Sequence, residues 1–478
     1  MLFNSLAFAL FLPVVFFVYW FALGKKLALQ NGWLLIASYF FYGCWDWRFM
    51  LLLVFSTGLD YYSGLKIAQH KENISLKKFW LVLSVGLNLA FLGLFKYYNF
   101  FMDSFADLLN SLGAEVHFST LNIILPVGIS FYTFHGLSYV IDIYYDKIEP
   151  EKDAINYGLF VSFFPLLVAG PIERATHLLP QIKKNRIFEP SAAREGLRQI
   201  LWGLFKKIVI ADNCAGIVNE VFADPAAANS PTLAFAAILF AFQIYGDFSG
   251  YSDIALGTAR LFGLRLLRNF AFPYFSRDMA EFWRRWHISL SSWFRDYLYI
   301  PLGGSRANLS VKIRNTFIIF LVSGFWHGAN WTFIVWGLLN ACYILPLLVF
   351  DRNRNHLKIA AEGRSLPSLG EVFNILLTFL LTCVAWIFFR ADSLYAAWVY
   401  LRGIFIFQGR QIANFNSSLV GLIFFLIIIE WWGREGDFAL EKIKNWRYKF
   451  ARWGFYLLVG LLIFLYQGKS HEFIYFQF

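Results

Sequence analysis

Apolar runs about twenty residues long recur along almost the whole of this chain, far more of them than a soluble core accommodates. A run of that length makes a helix able to cross roughly 30 Å of hydrocarbon. In hydrocarbon the backbone polar groups have only one another as partners, so helices are the expected unit. The composition of the 478 residues agrees: 58% are hydrophobic, 21% aromatic and 15% charged, with a mean hydropathy of +0.53. The predicted fold is all-α, a polytopic transmembrane helical bundle of about 11–13 membrane helices plus shorter interfacial or re-entrant helices. The chain is expected to form one domain over residues 1–478, with no attached soluble enzyme domain. Candidate spans are 2–23, 33–44, 49–64, 79–94, 121–144, 157–169, 197–217, 233–245, 254–266, 316–350, 372–389, 418–432 and 453–466.

The net charge of +11 fits the Lys/Arg enrichment of cytoplasmic loops and gives no reason to expect nucleic-acid binding. It also suits an anionic cytosolic donor such as an acyl-coenzyme A, and composition does not separate the two causes. Run 2–23 has no positive stretch before it and is followed by Lys25 and Lys26, the reverse of a secretory signal. It is expected to remain a membrane helix with its N-terminus outside. Lys66, Lys71, Lys77 and Lys78 then fall on the cytoplasmic side, two crossings later. Cys44, Cys214, Cys342 and Cys383 are scattered, without metal or redox spacing, and read as packing residues.

A polar group in hydrocarbon is expensive, so a histidine inside an apolar run carries more information than one in a loop. Of the eight histidines, His70, His117, His177, His356 and His471 lie in or beside polar connectors. His135, in Phe131–Tyr132–Thr133–Phe134–His135–Gly136, suits helix packing against a neighbour's hydroxyl, with substrate contact as the alternative. His287 lies in a stretch from Glu281 to Gly304 that reads as a helix, with Arg284 and Arg295 on one face and Trp283, His287, Leu290 and Phe294 on the next. Such a helix lines a wet cavity, packs inside the bundle, or lies at the interface with its arginines on lipid phosphates.

His327 falls in the uncharged run 316–350, which is longer than the bilayer core requires, so a break is expected near Ser323–Gly324 or His327–Gly328. Backbone freed there is tolerated only inside protein or beside water. An imidazole able to take a proton near neutral pH, with Asn330, indole N–H groups and backbone amides as oxyanion donors, suits acyl transfer. A histidine satisfied inside a glycine-kinked packing helix fits the same residues. Neither His287 nor His327 has a further ligand at a metal-site offset, and no G-x-S-x-G elbow is present. Asp247 and Asp253, between apolar runs, suit pairing with the arginines of 278–295, orienting a histidine, or an ordinary polar turn.

On these segments the chain resembles the membrane-bound O-acyltransferase (MBOAT) family, within it the bacterial alginate O-acetyltransferase branch. The match runs from Met1–Leu2–Phe3–Asn4–Ser5 through 125–131, 169–174 and 247–253. Its most specific parts are Phe282–Trp283–Arg284–Arg285–Trp286–His287–Ile288–Ser289–Leu290–Ser291, Tyr299–Ile300–Pro301–Leu302–Gly303–Gly304 and Phe325–Trp326–His327–Gly328. The resemblance implies that His327 is the essential catalytic histidine and His287 the second signature position, where a cytoplasmic and an extracytoplasmic cavity converge. Trp283, Arg284, Arg285, Ser291, Arg295, Trp326, Asn330 and Asp247 form the candidate substrate-binding set, without a metal.

The expected reaction moves an acyl group, acetyl first, from acetyl-CoA (acyl-CoA) as donor substrate, with no permanently bound cofactor. The acceptor is an exported polysaccharide or a periplasmic acyltransferase/esterase-like partner, and the chain sits among membrane lipid in a bacterial inner membrane. The rivals are a transporter or flippase, whose inverted repeat is not visible in the sequence, and a membrane scaffold, for which two polar histidine segments serve no purpose.

Overall fold

A computed structural model describes residues 1–24, 26–114, 116, 121, 124–168, 170–306, 308–468 and 471–474; Lys25, His117 and Ala169, named above, lie outside the described residues. All regular structure among the described residues is helical. Among the described residues five helices are long and apolar enough to cross a membrane: Ile74–Ser111, Ser230–Leu261, Leu309–His327, Trp331–Val349 and Leu369–Arg390. Leu6–Ala22 and Ser417–Gly433 are shorter apolar helices. Expected spans 33–44 and 49–64 lie in Leu27–Gly43 and Trp47–Gln69, which bury polar residues such as Asn31 and Asp60. Among the described residues these long apolar helices, with the shorter and more polar ones beside them, make up the all-α polytopic bundle that the apolar runs predict.

Two segments differ from the sequence reading. Runs 233–245 and 254–266 form one helix of 32 residues, Ser230–Leu261. The acids between them do not interrupt it, because each meets a lysine. Run 316–350 breaks, as its length predicts, but each part belongs to a helix of 19 residues, Leu309–His327 and Trp331–Val349, so it is a hairpin of two span-length helices. Small residues let them close: a Cβ on Gly324 would stand 2.3 Å from the Phe333 carbonyl oxygen, and one on Gly337 would stand 2.3 Å from that of Phe320.

The chain forms two compact units, Met1–Ala193 with Thr258–Leu267, and Arg194–Gly257 with Arg268–Phe478. In the first, Asp60 is buried and accepts hydrogen bonds from Ser84 Oγ at 2.6 Å and Asn88 Nδ2 at 2.7 Å. A Cβ on Gly136 would stand 1.8 Å from the other Asp60 oxygen, so only glycine admits that approach. His135 belongs to this unit, in helix Ile129–Tyr144, with its ring buried 5.9 Å from that of Phe160.

His177 Nδ1 lies 2.8 Å from Glu173 Oε2, and the Glu173 side chain is fully buried. The hydrogen bond from Glu173 raises the His177 pKa above its ordinary 6.5, against the opposing effect of burial. Protonated His177 therefore favours the folded state. Its contribution is complete below the unfolded value and is lost as pH rises through the raised folded value. The thermal midpoint of the wild type in detergent is expected to fall between about pH 6 and about pH 8. His177→Gln should flatten that part of the curve, as scanning fluorimetry across the range would check.

Candidate active site

The stretch 281–304 is not one helix. Met279–Arg285 ends, His287 takes a left-handed backbone with φ 45° and ψ 53°, and Ile288–Phe294 begins. Trp283, His287, Leu290 and Phe294 thus do not share a single helical face. The backbone is redirected by the segment before it: the Ala271 amide donates to the Arg285 carbonyl at 2.9 Å, and the Ile288 amide to the Asn269 carbonyl at 2.9 Å. A non-glycine residue held at such angles costs about 1–3 kcal/mol, sustained only where the surroundings over-determine it.

His327 is the last residue of its helix. Gly328 follows in extended conformation as the C-cap, and a Cβ there would stand 2.0 Å from the Phe333 ring. The expected break therefore falls at His327–Gly328. Asn330 caps the next helix by accepting from the Thr332 amide at 3.0 Å, and its Nδ2 donates to the Asp392 carbonyl at 2.9 Å.

The two breaks bring the histidines together within the second unit, ring centroids 6.4 Å apart. Around His327 stand Trp326 at 4.9 Å, Trp336 at 5.1 Å and Phe389 at 5.3 Å. Phe248 stands edge-on to His287 at 4.7 Å, and Trp326 lies 6.0 Å from it. His327 is 3% exposed and His287 1%. The result is a pair of imidazoles in an aromatic enclosure of low dielectric, where a proton transfer or a developing charge interacts strongly with fixed dipoles.

The other candidates divide by their partners. Trp326 belongs to the enclosure, and Trp283 adjoins it through Trp336, 5.6 Å away, while its Nε1 donates to Asn340 Oδ1 at 3.2 Å. Arg284 donates to the carbonyls of Asn353 and His356 at 2.9 and 2.8 Å. Arg285 donates to Glu281 Oε1 at 2.8 Å and to the Ala271 and Lys358 carbonyls. These two arginines tie down the connector after Trp331–Val349. Ser291 Oγ donates to the Trp286 carbonyl at 3.4 Å. Arg295 points outward, 62% exposed, beside Asp296.

Asp247 and Asp253 pair with lysines, not with the arginines of 278–295, and they lie on a helix rather than in a turn. The lysines sit on a π-helical turn, Phe205–Ala211. Lys206 Nζ is 2.6 Å from Asp253 Oδ2. Lys207 Nζ is 2.8 Å from both Asp212 Oδ1 and Asp247 Oδ1. Tyr245 Oη donates to Glu430 Oε2 at 2.8 Å. Lys206, Asp253, Tyr245, Glu430, Arg268 and Asn269 border a cleft with about 330 Å³ of empty volume, counting the part open to solvent. It approaches His287 through Phe270, whose ring is 5.0 Å from Trp286 and 4.9 Å from Phe248. No group of three His, Cys, Asp or Glu side chains suited to a metal occurs among the described residues.

Trp336, Phe389, Asn269, Asn340, Lys206, Lys207 and Glu430 were not singled out from the sequence. A signal existed for the polar ones. Asn340, Glu430 and the lysine pair interrupt apolar runs as His327 does, and the same expense applies to them.

Comparison with known proteins agrees with this architecture. The profile "MBOAT, membrane-bound O-acyltransferase family" matches residues 151–390, a span containing both histidines. The chain is 40% identical over 427 residues to the "Probable alginate O-acetylase AlgI" of Pseudomonas aeruginosa, covering 88% of this chain and 78% of that protein. It is 37% identical over 447 residues to the "Peptidoglycan O-acetyltransferase" of Helicobacter pylori, covering 87% and 82%. The "Teichoic acid D-alanyltransferase" of Streptococcus thermophilus is 29% identical over 311 residues, 59% of this chain and 74% of that one. A family profile over half the chain and near-full-length relatives at this identity leave one assignment: the chain belongs to the membrane-bound O-acyltransferase family and is a multi-pass membrane O-acyltransferase.

Proposed function

We propose that the chain takes an acetyl group from acetyl-coenzyme A on the cytoplasmic side of a bacterial inner membrane and passes it to a hydroxyl on the far side. That hydroxyl belongs to an exported polysaccharide or to a periplasmic acyltransferase partner that carries the group onward. The observation that carries this reading is the convergence of two helix breaks on two imidazoles with ring centroids 6.4 Å apart. The names of the relatives, an alginate O-acetylase and a peptidoglycan O-acetyltransferase, support a polysaccharide acceptor and an acetyl group.

In the proposed reaction His327 accepts the proton of the acceptor hydroxyl as its oxygen attacks the thioester carbonyl. The tetrahedral oxyanion collapses by breaking the C–S bond, and the imidazolium returns the proton to the departing thiolate. The products are an ester and free coenzyme A. Aromatic rings around His327 exclude water that would otherwise hydrolyse the thioester, and their π-electrons favour the transient imidazolium. His287 positions His327. Trp326 and Trp283 shape the pocket; Arg284, Arg285, Asn330 and Asp247, already bonded within the protein, serve by holding its walls, and Ser291 and Arg295 lie further along the same segment. Because His327 is 3% exposed, substrate entry requires neighbouring aromatic side chains to move.

Purified protein in liposomes with labelled acetyl-coenzyme A, the polymer and the periplasmic fraction is expected to release free coenzyme A and to label the polymer, directly or through the partner, in equal amounts. An intact thioester after incubation would favour a transporter or flippase instead.

A further inference from the structure

We propose that Asn269 is the positioning residue for His287, and through it for the proton-accepting geometry of His327; this rests on the roles given to the two histidines above. Asn269 is 1% exposed, and its two carbonyl oxygens both meet the residues that follow His287. Its backbone carbonyl accepts from the Ile288 amide at 2.9 Å, and its Oδ1 accepts from Ser289 Oγ at 2.6 Å. Its Nδ2 donates to Ser252 Oγ at 3.1 Å, on helix Ser230–Leu261.

On the other side of His287, Arg285 is fixed to Ala271 twice: its carbonyl accepts the Ala271 amide at 2.9 Å, and its Nη1 donates to the Ala271 carbonyl at 3.2 Å. His287 is thus held between two clamps, and its left-handed backbone cannot relax without breaking one. With helical angles instead, Met279–Arg285 would run on into Ile288–Phe294, and side chains would follow one another at about 100° intervals around a single axis. The imidazole would then leave its place beside His327. The Ser252 bond adds a second constraint. Ser252 lies one helical turn after Phe248, the ring standing edge-on to His287, so one amide sets both the backbone of His287 and the register of its aromatic neighbour.

The test measures initial rates of label transfer from acetyl-coenzyme A to polymer in membrane vesicles whose only copy is the full chain or a variant, against donor concentration and pH. Asn269→Ala is expected to lower kcat about 10–100-fold, with KM for acetyl-coenzyme A within about twofold and the acidic limb of the rate–pH profile displaced. Asn269→Asp keeps the acceptor for Ser289 and loses the donor to Ser252, so it should recover part of kcat. A merely structural role would reduce the amount of folded protein and leave the pH limb in place. Ser289→Ala removes the same hydrogen bond from the other side and decides the question where Asn269→Ala fails to insert. Wild-type kcat and pH limb in both alanine variants, with His327→Gln inactive, would overturn the positioning role alone. Activity in His327→Gln would overturn the reading beneath it.

Discussion

His327→Gln is expected to lower polymer acylation about 10²–10⁴-fold while leaving the protein folded and in the membrane. Glutamine keeps much of the volume that fills the space among Trp326, Trp336 and Phe389, and it has no group that takes a proton near neutral pH. Alanine should remove activity as completely, but it adds a void where the ring stood, and such truncations cost a few kcal/mol of their own (roughly 2–5 for large-to-small changes). The glutamine variant therefore separates chemistry from packing. His287→Gln is expected to lose less, because its ring stands behind His327 and acts through it. Labelled acetyl content of the polymer and the thermal midpoint in detergent are the two measurements. Acylation within about twofold of wild type in His327→Gln, at equal protein, would remove the proton acceptor from the proposed step.

The sequence reading reached this site unevenly, for physical reasons. A break in run 316–350 is legible because apolar run length is a one-dimensional quantity: a run too long to span once must turn, and Gly324 and Gly328 are both places where a turn fits, of which the structure uses the second. The hairpin that results was not foreseen, since run length alone does not say that each half would reach span length by itself. Around His287 helical periodicity misled, because the residues 281–294 carry a good helical pattern. What cuts it is a long-range pairing with Asn269 and Ala271, which no local pattern encodes. Asp247 and Asp253 were recognised as costly. The sequence offers the nearby arginines, a histidine or an ordinary polar turn to account for them, whereas the structure supplies Lys206 and Lys207 from some forty residues upstream. Arg284 and Arg285 are bonded to backbone carbonyls and to Glu281 instead, and Arg295 to Asp296. Glu430 and Asn340 interrupt apolar runs in the same way and carry the same expense.

Lys207→Met is expected to destabilise the protein by about 3–5 kcal/mol, the usual penalty for removing one partner of a buried ion pair. The Lys207 side chain is 1% exposed, and its ammonium stands 2.8 Å from both Asp212 Oδ1 and Asp247 Oδ1. It also donates to the His471 carbonyl at 3.0 Å. Without it, two buried carboxylates face each other with no intervening cation, and one or both must take up a proton for the fold to persist. The loss should reach the C-terminal segment as well, because Asp247 Oδ2 accepts the Ile474 amide at 2.7 Å. Phe473, fully buried, lies 4.7 Å from Tyr251 and 6.0 Å from Phe248. Hydrogen exchange at 471–474 should therefore rise together with the fall in thermal midpoint. Lys207→Met combined with Asp247→Leu removes one of the two stranded charges, so it should melt above the single variant although it lacks more of the native groups. Since Phe248 also stands against His287, the double variant tests whether this charge cluster supports the site only by stability: restored melting with acylation still lost would show that the ion pair also sets the geometry of the imidazoles, whereas a wild-type midpoint in Lys207→Met would mean that the buried cluster does not form.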